Sequence, residues 1–340
     1  MLNIRWMLAA LVAVGSLLSA GAHEALAQSK YKLEISLETS PNHVRNISIL
    51  EIAKELEKAS NGKLEVKVYH SAAKFKDTDI PKALNQGAMD MGVPVTFHLG
   101  KYVSNFDAVD LPIFYGRTRH EIYKVTDGKV GDLLAQAVEK KLGVKIVGHW
   151  MDLGHQQTFT LNTPIKSSAD IKGRKIRTPG GAGNIARYDV LGAAPLKVPW
   201  PDVPQALQRS TIDGLMTTFE SARSAKLWDS GVKFAFENNQ SFTQYVPLIS
   251  QRTWKRYPPE IRDLISKVWA KDISKVRDLA EQRQKSAQGD AVKNGMTINV
   301  PTPEDTVATR KKLLAAQDQL VKQLKIDPAL VRLIAKALDG

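Results

Sequence analysis

Apolar and polar residues alternate over residues 32–39, with Leu33, Ile35 and Leu37 on one side, which predicts a β-strand closed by Ser40, Pro41 and Asn42. From Val44 the period lengthens. Ile47, Leu50, Ile52, Ala53, Leu56 and Ala59 recur at helical spacing until Asn61 and Gly62, a good carboxyl-terminal cap. Leu64, Val66 and Val68 alternate again as a second strand, residues 78–86 form a second helix stopped by Gly87, and residues 89–93 a third strand. This βαβαβ rhythm implies a parallel or mixed sheet covered by helices. Residues 111–115 read as a loop or edge segment, residues 130–141 as a helix and residues 144–150 as a further strand.

After Gly154 the rhythm restarts. Residues 157–161 and 175–178 read as strands, 182–191 as a helix, and 201–208 as a short helix opened by a proline. Residues 212–216 form a buried strand that runs out into Thr217, Thr218, Phe219 and Glu220. Residues 234–238 and 245–250 are strand candidates that cross back to the first half. The longest helix starts at Pro258 and Pro259, where Ile261, Leu264, Ile265, Val268, Trp269, Ile273, Val276 and Leu279 keep one face apolar until Asn294 and Gly295. About 35 residues at about 1.5 Å each span ~50 Å, longer than one small lobe and enough to brace two. The wide stripe favours packing on the protein's own body over a coiled-coil dimer. A strand at 296–300 and two helices finish the chain.

Composition changes this picture in two places. The first residues are a targeting segment: Arg5 is followed by an apolar run over residues 6–20, and Ala25, Leu26 and Ala27 form a small-x-small cleavage pattern. The run is short for a membrane span, so removal after Ala27 is expected rather than an anchor. The chain has no cysteine, which removes lipidation, disulfides, thiolate zinc sites and thiol nucleophiles together. The net charge of +13 would suit a nucleic-acid binder. The basic residues are instead scattered among acids on helices, as in residues 51–58, with no arginine-rich block, so nucleic acid is not an expected partner.

Candidate chemistry centres on residues 170–179. Arg177 stands at the end of a short strand, Pro179 stops it, and Gly180, Gly181 and Gly183 open a helix. A guanidinium matches a carboxylate in two parallel hydrogen bonds, and a helix start adds free N–H groups. Arg177 is therefore read as the clamp for a ligand carboxylate. Gly181, Gly183 and Ala186 echo a dinucleotide fingerprint, but a helix-start anion site explains the same glycines, and no cofactor is expected. No histidine spacing or paired carboxylates single out a metal or an acid–base pair, so neither a metal nor catalysis is assigned. Glu220 reads either as an acceptor for a ligand hydroxyl or ammonium, or as a solvated helix-start acid.

Trp150, Pro164, Ile165, residues 170–179, residues 191–195, Val198, Pro199, Trp200, residues 206–208, Ile212, Asp213, Gly214 and residues 224–228 form an ordered series. The series resembles the DctP-like solute-binding proteins of TRAP (tripartite ATP-independent periplasmic) transporters, and the resemblance extends over the whole mature chain. It implies a periplasmic α/β protein of two lobes, each a mixed sheet flanked by helices, with a long helix bracing both and a ligand closed between them. The expected division is a signal peptide at 1–27, lobe I at 28–152 plus about 243–284, and lobe II at 153–242 plus about 285–340, with the bracing helix at about 259–294. The implied partners are a small organic acid and the small and large membrane subunits of the transporter, with the binding protein a monomer.

The resemblance makes Arg177 the bidentate partner of the substrate carboxylate. It also points to Trp200 as a cleft wall, to Thr217 and its neighbour Thr178 as polar contacts, and to Glu38, Asp77 and Thr96 as first-lobe contacts. Gln156 stands where many members carry a second arginine, which leaves Arg177 alone with the ligand charge. Trp150, Trp200, Phe219 and Phe75 read either as an aromatic lining of the cleft or as core residues; a lining would favour a monocarboxylate with an apolar or aromatic body. An exported enzyme acting on such an acid, or a periplasmic sensor without a transporter, are the alternatives.

Overall fold

The computed structural model describes residues 31–339; the predicted signal segment and its cleavage site lie outside the described residues. Strand β1 (Tyr31–Ser36), helix α1 (Val44–Ala59), strand β2 (Leu64–Tyr69), helix α2 (Ile80–Gln86) and strand β3 (Met91–Gly92) follow the expected alternation. Strand β1 lies parallel to β2 on one side and β3 on the other, with Leu33 opposite Val66 and Ile35 opposite Met91. Three 3-10 segments at Thr96–His98, Ser104–Asp110 and Pro112–Phe114 lead to α3 (Arg119–Thr126), α4 (Lys129–Leu142) and β4 (Val144–Ile146). Helix α3 escapes the apolar pattern because its buried face holds only Ile122, Val125 and Thr126. A capping box holds its start: the Thr118 hydroxyl accepts from the Glu121 N–H, and the Glu121 carboxylate from the Thr118 N–H.

The second lobe is built from β5 (Met151–Thr160), β6 (Lys175–Thr178), α5 (Ala182–Val190), β7 (Ala194–Lys197), α6 (Val203–Gln208), β8 (Gly214–Thr217), α7 (Phe219–Ser224) and β9 (Phe234–Tyr245). The chain then returns through β10 (Leu248–Ser250) and α8 (Gln251–Arg256) to the long helix α9 (Pro259–Lys293), and ends with β11 (Thr297–Asn299), α10 (Pro303–Gln323) and α11 (Pro328–Asp339). The first sheet has the order β2-β1-β3-β10-β4 and the second β11-β9-β5-β8-β6-β7. Both are mixed, because β10 runs antiparallel to β3 and β4, and β5 runs antiparallel to β8 and β9.

Strands β5 and β9 carry the chain between the lobes, and here the structure departs from the sequence pattern. Strand β9 runs on for 12 residues where a short strand at 234–238 was expected, and the strand expected at 245–250 is present as β10. Its middle, Asn238, Gln240, Ser241, Thr243 and Gln244, is buried but polar, and such residues read as a loop. Register shifts against β5 between Asp152 and Gly154 and between Gln156 and Thr158 mark bulges where the crossing pair bends. Tyr245 at the end of β9 also bridges to Val95 of the first lobe.

Helix α9 braces both lobes, as its length predicts. Ile261, Ile265, Val268 and Trp269 lie in the core with Leu33 and Ile35, while Ala287 and Ala291 pack with Phe159 and Leu215. Arg277 makes a forked bond to Asp127 at 2.6 and 2.8 Å and donates from Nε to the Trp150 carbonyl at 2.9 Å, with Tyr123 under its guanidinium. One expected boundary changes. Residues 285–340 were assigned to lobe II, but Leu330, Ile334 and Leu338 of α11 pack in the first-lobe core with Ile122, Val125 and Leu134. An amphipathic terminal helix carries no mark in its own sequence of which body it will cover.

Trp269 is 1% exposed, and its indole N–H donates to the His149 carbonyl at 2.9 Å. Trp269→Ala is expected to lower stability by about 3–5 kcal/mol, read as a fall in the midpoint of urea unfolding at unchanged slope. A midpoint equal to wild type would show that α9 does not carry the first-lobe core.

Candidate functional site

Between the two sheets lies a cavity of about 50 Å³. Glu38, Thr39, Arg45, Asp77, Phe97 and His98 line it from the first lobe; Gln156, Arg177, Trp200, Met216 and Thr217 line it from the second. Strand β6 delivers Arg177, pinned by its neighbours β7 (Leu196 opposite) and β8 (Leu215 opposite). The Arg177 side chain is 2% exposed; its Nε donates to the Val198 carbonyl at 2.8 Å and its Nη1 to the Met216 carbonyl at 3.2 Å. Nη2 has no partner. Burial pulls the group down to about 10, so it stays cationic at neutral pH. The Trp200 ring stands 5.5 Å from the guanidinium carbon, close enough for a cation–π contact.

The glycine turn after Arg177 does not serve the cavity. The Ala182 backbone at the start of α5 lies against the Asp107 carboxyl of the first lobe and offsets part of the rise that burial imposes on it. Gly181 has φ +82°, and a Cβ there would come within 2.6 Å of the Phe97 Cβ, so this turn must be glycine for the lobes to meet. The helix start is a contact between lobes rather than part of an anion site.

A second arginine, passed over in the sequence, enters from the first lobe. Arg45 is 1% exposed, donates from Nη1 to Asp77 Oδ2 at 2.6 Å and to the Val93 carbonyl at 3.0 Å, and from Nε to Thr39 Oγ1 at 3.1 Å. Its guanidinium lies 4.3 Å from the Tyr245 ring centroid, and its Nη2 has no partner. Burial opposes its charge, but Asp77 more than offsets it, and Arg45 is held above its ordinary value. The signal was available: Arg45 is in phase with Ile49, Ile52 and Leu56, so α1 carries a cation on its buried face. Scattered lysines and arginines elsewhere made it look like surface. Arg177 is therefore not the single cation of the cavity.

Glu38 and Asp77 complete the first-lobe wall. Burial first, and the Asp77 charge second, push the Glu38 carboxyl up to about 8, and its Oε1 has no partner. Burial also raises Asp77 against the pull of Arg45, and its Oδ1 is likewise unpaired. Burial, with the nearby Arg177 charge, drives His98 down to about 3, so its imidazole is neutral. One ligand atom from each of Glu38, Asp77 and His98 lies within 4.8 Å of the others, a spacing that could hold a metal ion. The adjoining Arg45 and Arg177 charges act on this same cluster and oppose a cation there.

Six of the residues singled out in the sequence meet at the cavity: Arg177, Gln156, Trp200, Thr217, Glu38 and Asp77. Thr178 and Thr96 are buried beside it with unpartnered hydroxyls, but do not line it. The aromatic lining differs from the expectation. Trp150 stacks on Phe106 at 5.4 Å in the first-lobe core, Phe219 packs edge-on to Phe159 at 5.3 Å in the second, and Phe75 packs half-buried on the first. Phe97 and Tyr245 join Trp200 instead. Glu220 is neither solvated nor at the cavity. It is fully buried, accepts from the Val44 N–H at 3.0 Å and Arg283 Nε at 2.8 Å, and pairs with Arg223. It ties α1 of one lobe to α7 and α9.

Glu38 predicts a pH signature. A carboxyl whose folded pKa is raised stabilises the fold fully below its ordinary value of 4.5, and that contribution is lost as pH rises through about 8. Glu38→Gln should therefore gain on wild type in Tm as pH climbs across that window in the ligand-free protein. The same Tm difference at about pH 5 and about pH 8.5 would place the Glu38 carboxyl in ordinary solvent.

Residues 35–324 match the DctP family of bacterial extracellular solute-binding proteins, family 7. The chain is 26% identical over 324 residues to the C4-dicarboxylate-binding periplasmic protein DctP of Rhodobacter capsulatus, covering 94% of this chain and 95% of that one. It is 26% identical over 258 residues to the 2,3-diketo-L-gulonate-binding periplasmic protein YiaO of Escherichia coli K12, covering 76% and 77%. Among solved structures, a TRAP periplasmic solute-binding protein of Sulfurospirillum deleyianum with bound succinate superposes with a TM-score of 0.84 at 23% identity, covering 90% and 99%. The sugar acid-binding protein DctPAm of Advenella mimigardefordensis with galactonate gives 0.86 at 19% identity, covering 91% and 97%. No helix among the described residues is long and apolar enough to cross a membrane. These relatives are binding proteins for transport, not enzymes, and the chain itself belongs to the DctP family of solute-binding proteins.

Proposed function

We propose that this protein is exported to the periplasm, captures a small monocarboxylate between its lobes on Arg177, and delivers it as a monomer to a TRAP-type membrane transporter. Solute-binding proteins of this family hold small organic acids and work with the transporter's membrane components. The observation that carries the reading is Arg177 Nη2, a charged donor that is buried, unpartnered and on the cavity wall. A buried donor without an acceptor is costly, and a ligand carboxylate would relieve it with a charge-assisted bond.

The charge count supports one carboxylate rather than two. Arg45 and Asp77 cancel as an ion pair, Glu38 keeps its proton near neutral pH, and Arg177 leaves one net positive charge. A single carboxylate neutralises it. The apolar or aromatic body expected from the sequence has less support, since Trp150, Phe219 and Phe75 stand away from the cavity and polar atoms occupy its first-lobe wall. Capture would close the lobes about the bulged β5–β9 crossing, with α9 as the brace. Lys76 and Asp202 already pair across the lobes at 2.9 Å; both are exposed, and the pair is worth no more than about 1 kcal/mol.

The test is a thermal-shift panel of carboxylates, neutral sugars and amino acids on the purified mature chain, followed by calorimetric titration of each hit. A carboxylate at about 100 times its Kd should stabilise by about 2.7 kcal/mol. Arg177→Ala should lose about 2–5 kcal/mol of that acid's binding energy, and Arg177→Lys should recover little of it because a lysine lacks the planar fork. Equal affinity in Arg177→Ala, or shifts from neutral sugars alone, would overturn the reading.

A further inference from the structure

At the first-lobe end of the cavity, three side chains bring unsatisfied atoms of opposite kinds together. Among the described residues, Arg45 Nη2 is a donor without an acceptor, Asp77 Oδ1 an acceptor without a donor, and Glu38 Oε1, on a carboxyl that burial keeps protonated near neutral pH, has no partner of either kind. All three residues are at least nine-tenths buried and line the same cavity as Arg177. Their positions are not free to adjust. Arg45 is held by Asp77, Thr39 and the Val93 carbonyl, and Tyr245 lies against its face.

We infer that Arg45, Asp77 and Glu38 form a specificity subsite for a hydroxyl group on the captured acid, and that the same subsite rejects a second carboxylate or an ammonium. The inference rests on the reading that Arg177 takes the ligand's carboxylate. A hydroxyl both accepts and donates, so one group satisfies Arg45 Nη2 and Asp77 Oδ1 at once. A second carboxylate could accept from Arg45, but it would bring its charge against the Asp77 carboxylate. An ammonium could donate to Asp77, but it would face the Arg45 guanidinium. A ketone accepts only, from Arg45 or from the protonated Glu38, and leaves Asp77 Oδ1 unpaired, and a methyl group leaves all three orphans in place. Each mismatch buries a polar group without its partner, the situation in which sites built for a hydroxyl discriminate most strongly. Charge agrees: with Arg177 neutralised by the first carboxylate, a neutral second group leaves the cavity balanced. Specificity of this kind is exclusion as much as attraction, and it would separate this chain from the dicarboxylate-binding protein of Rhodobacter capsulatus that it resembles.

The experiment is calorimetric titration of the wild-type mature chain with matched series that differ in one group. The first series is lactate, propionate, pyruvate, alanine and methylmalonate. The second is 4-hydroxybutyrate, butyrate, succinate and 4-aminobutyrate. The third is gluconate against glucarate. In the series that binds tightest, the hydroxy acid is expected to bind at least about tenfold tighter than every counterpart. Asp77→Asn, which keeps the shape and removes the charge, is expected to shrink the discrimination against the matching dicarboxylate by about tenfold or more, and circular dichroism checks its folding. A dicarboxylate that binds wild type as tightly as the hydroxy acid overturns the subsite, as does an unchanged ratio in a folded Asp77→Asn. If those ratios fail while Arg177→Ala still abolishes binding, carboxylate capture stands and only the subsite falls. If no acid of any series binds, both fall.

Discussion

A guanidinium taken out of water between two lobes is the constraint on which this structure turns. Moving an isolated charge into a protein interior costs several kcal/mol even after relaxation. Arg177 meets part of that cost with the Val198 and Met216 carbonyls, which β7 and β8 hold at fixed distance. The remainder is left open at Nη2. A site that is incomplete by one charge-assisted bond is what a capture protein needs. In the proposed capture, a ligand carboxylate would complete the electrostatics between the two lobes.

The wider architecture follows from the same logic of buried charge. Arg45–Asp77 lies inside the first lobe, Glu220 with Arg283 and Arg223 joins the lobes beside α1, and Arg277–Asp127 ties α9 to α3 and the start of β5. Isolated surface pairs contribute little, but these are enclosed and directional, and each carries further hydrogen bonds that set its geometry. The first of the three lines the cavity, and the other two hold the lobes and α9 together away from it. The long helix touches two of the three sets, so motion of one lobe against the other is coupled to α9 along its length. The strands that must bend, β5 and β9, carry bulges and buried polar side chains where a regular apolar pair would resist.

What was legible in the sequence was what short-range periodicity and an ordered motif can carry. The first βαβαβ unit, the start and end of α9, and Arg177 on its short strand all depend on residues within a few positions of one another. Helix α3 was not legible, because its buried face holds two large apolar residues and its start depends on the Thr118–Glu121 box. The middle of β9 was not legible, because polar residues there are buried by the crossing rather than by their own character. Trp150 and Phe219 illustrate the same limit for the site: an aromatic residue satisfies a core and a cleft equally well, and only packing decides.

The chain by itself therefore determined the class of protein, two α/β lobes with a bracing helix and one arginine suited to a carboxylate. These follow from local pattern, which a linear sequence records directly. Tertiary structure decided the partners of that arginine. It brought Arg45 from α1 and Asp77 from the loop before α2 to the same cavity, turned the α5 start towards Asp107, and drew Glu220 into the contact between lobes. Those outcomes depend on distances between residues far apart in the chain, and on the desolvation that folding imposes, neither of which is written in the spacing of the residues themselves.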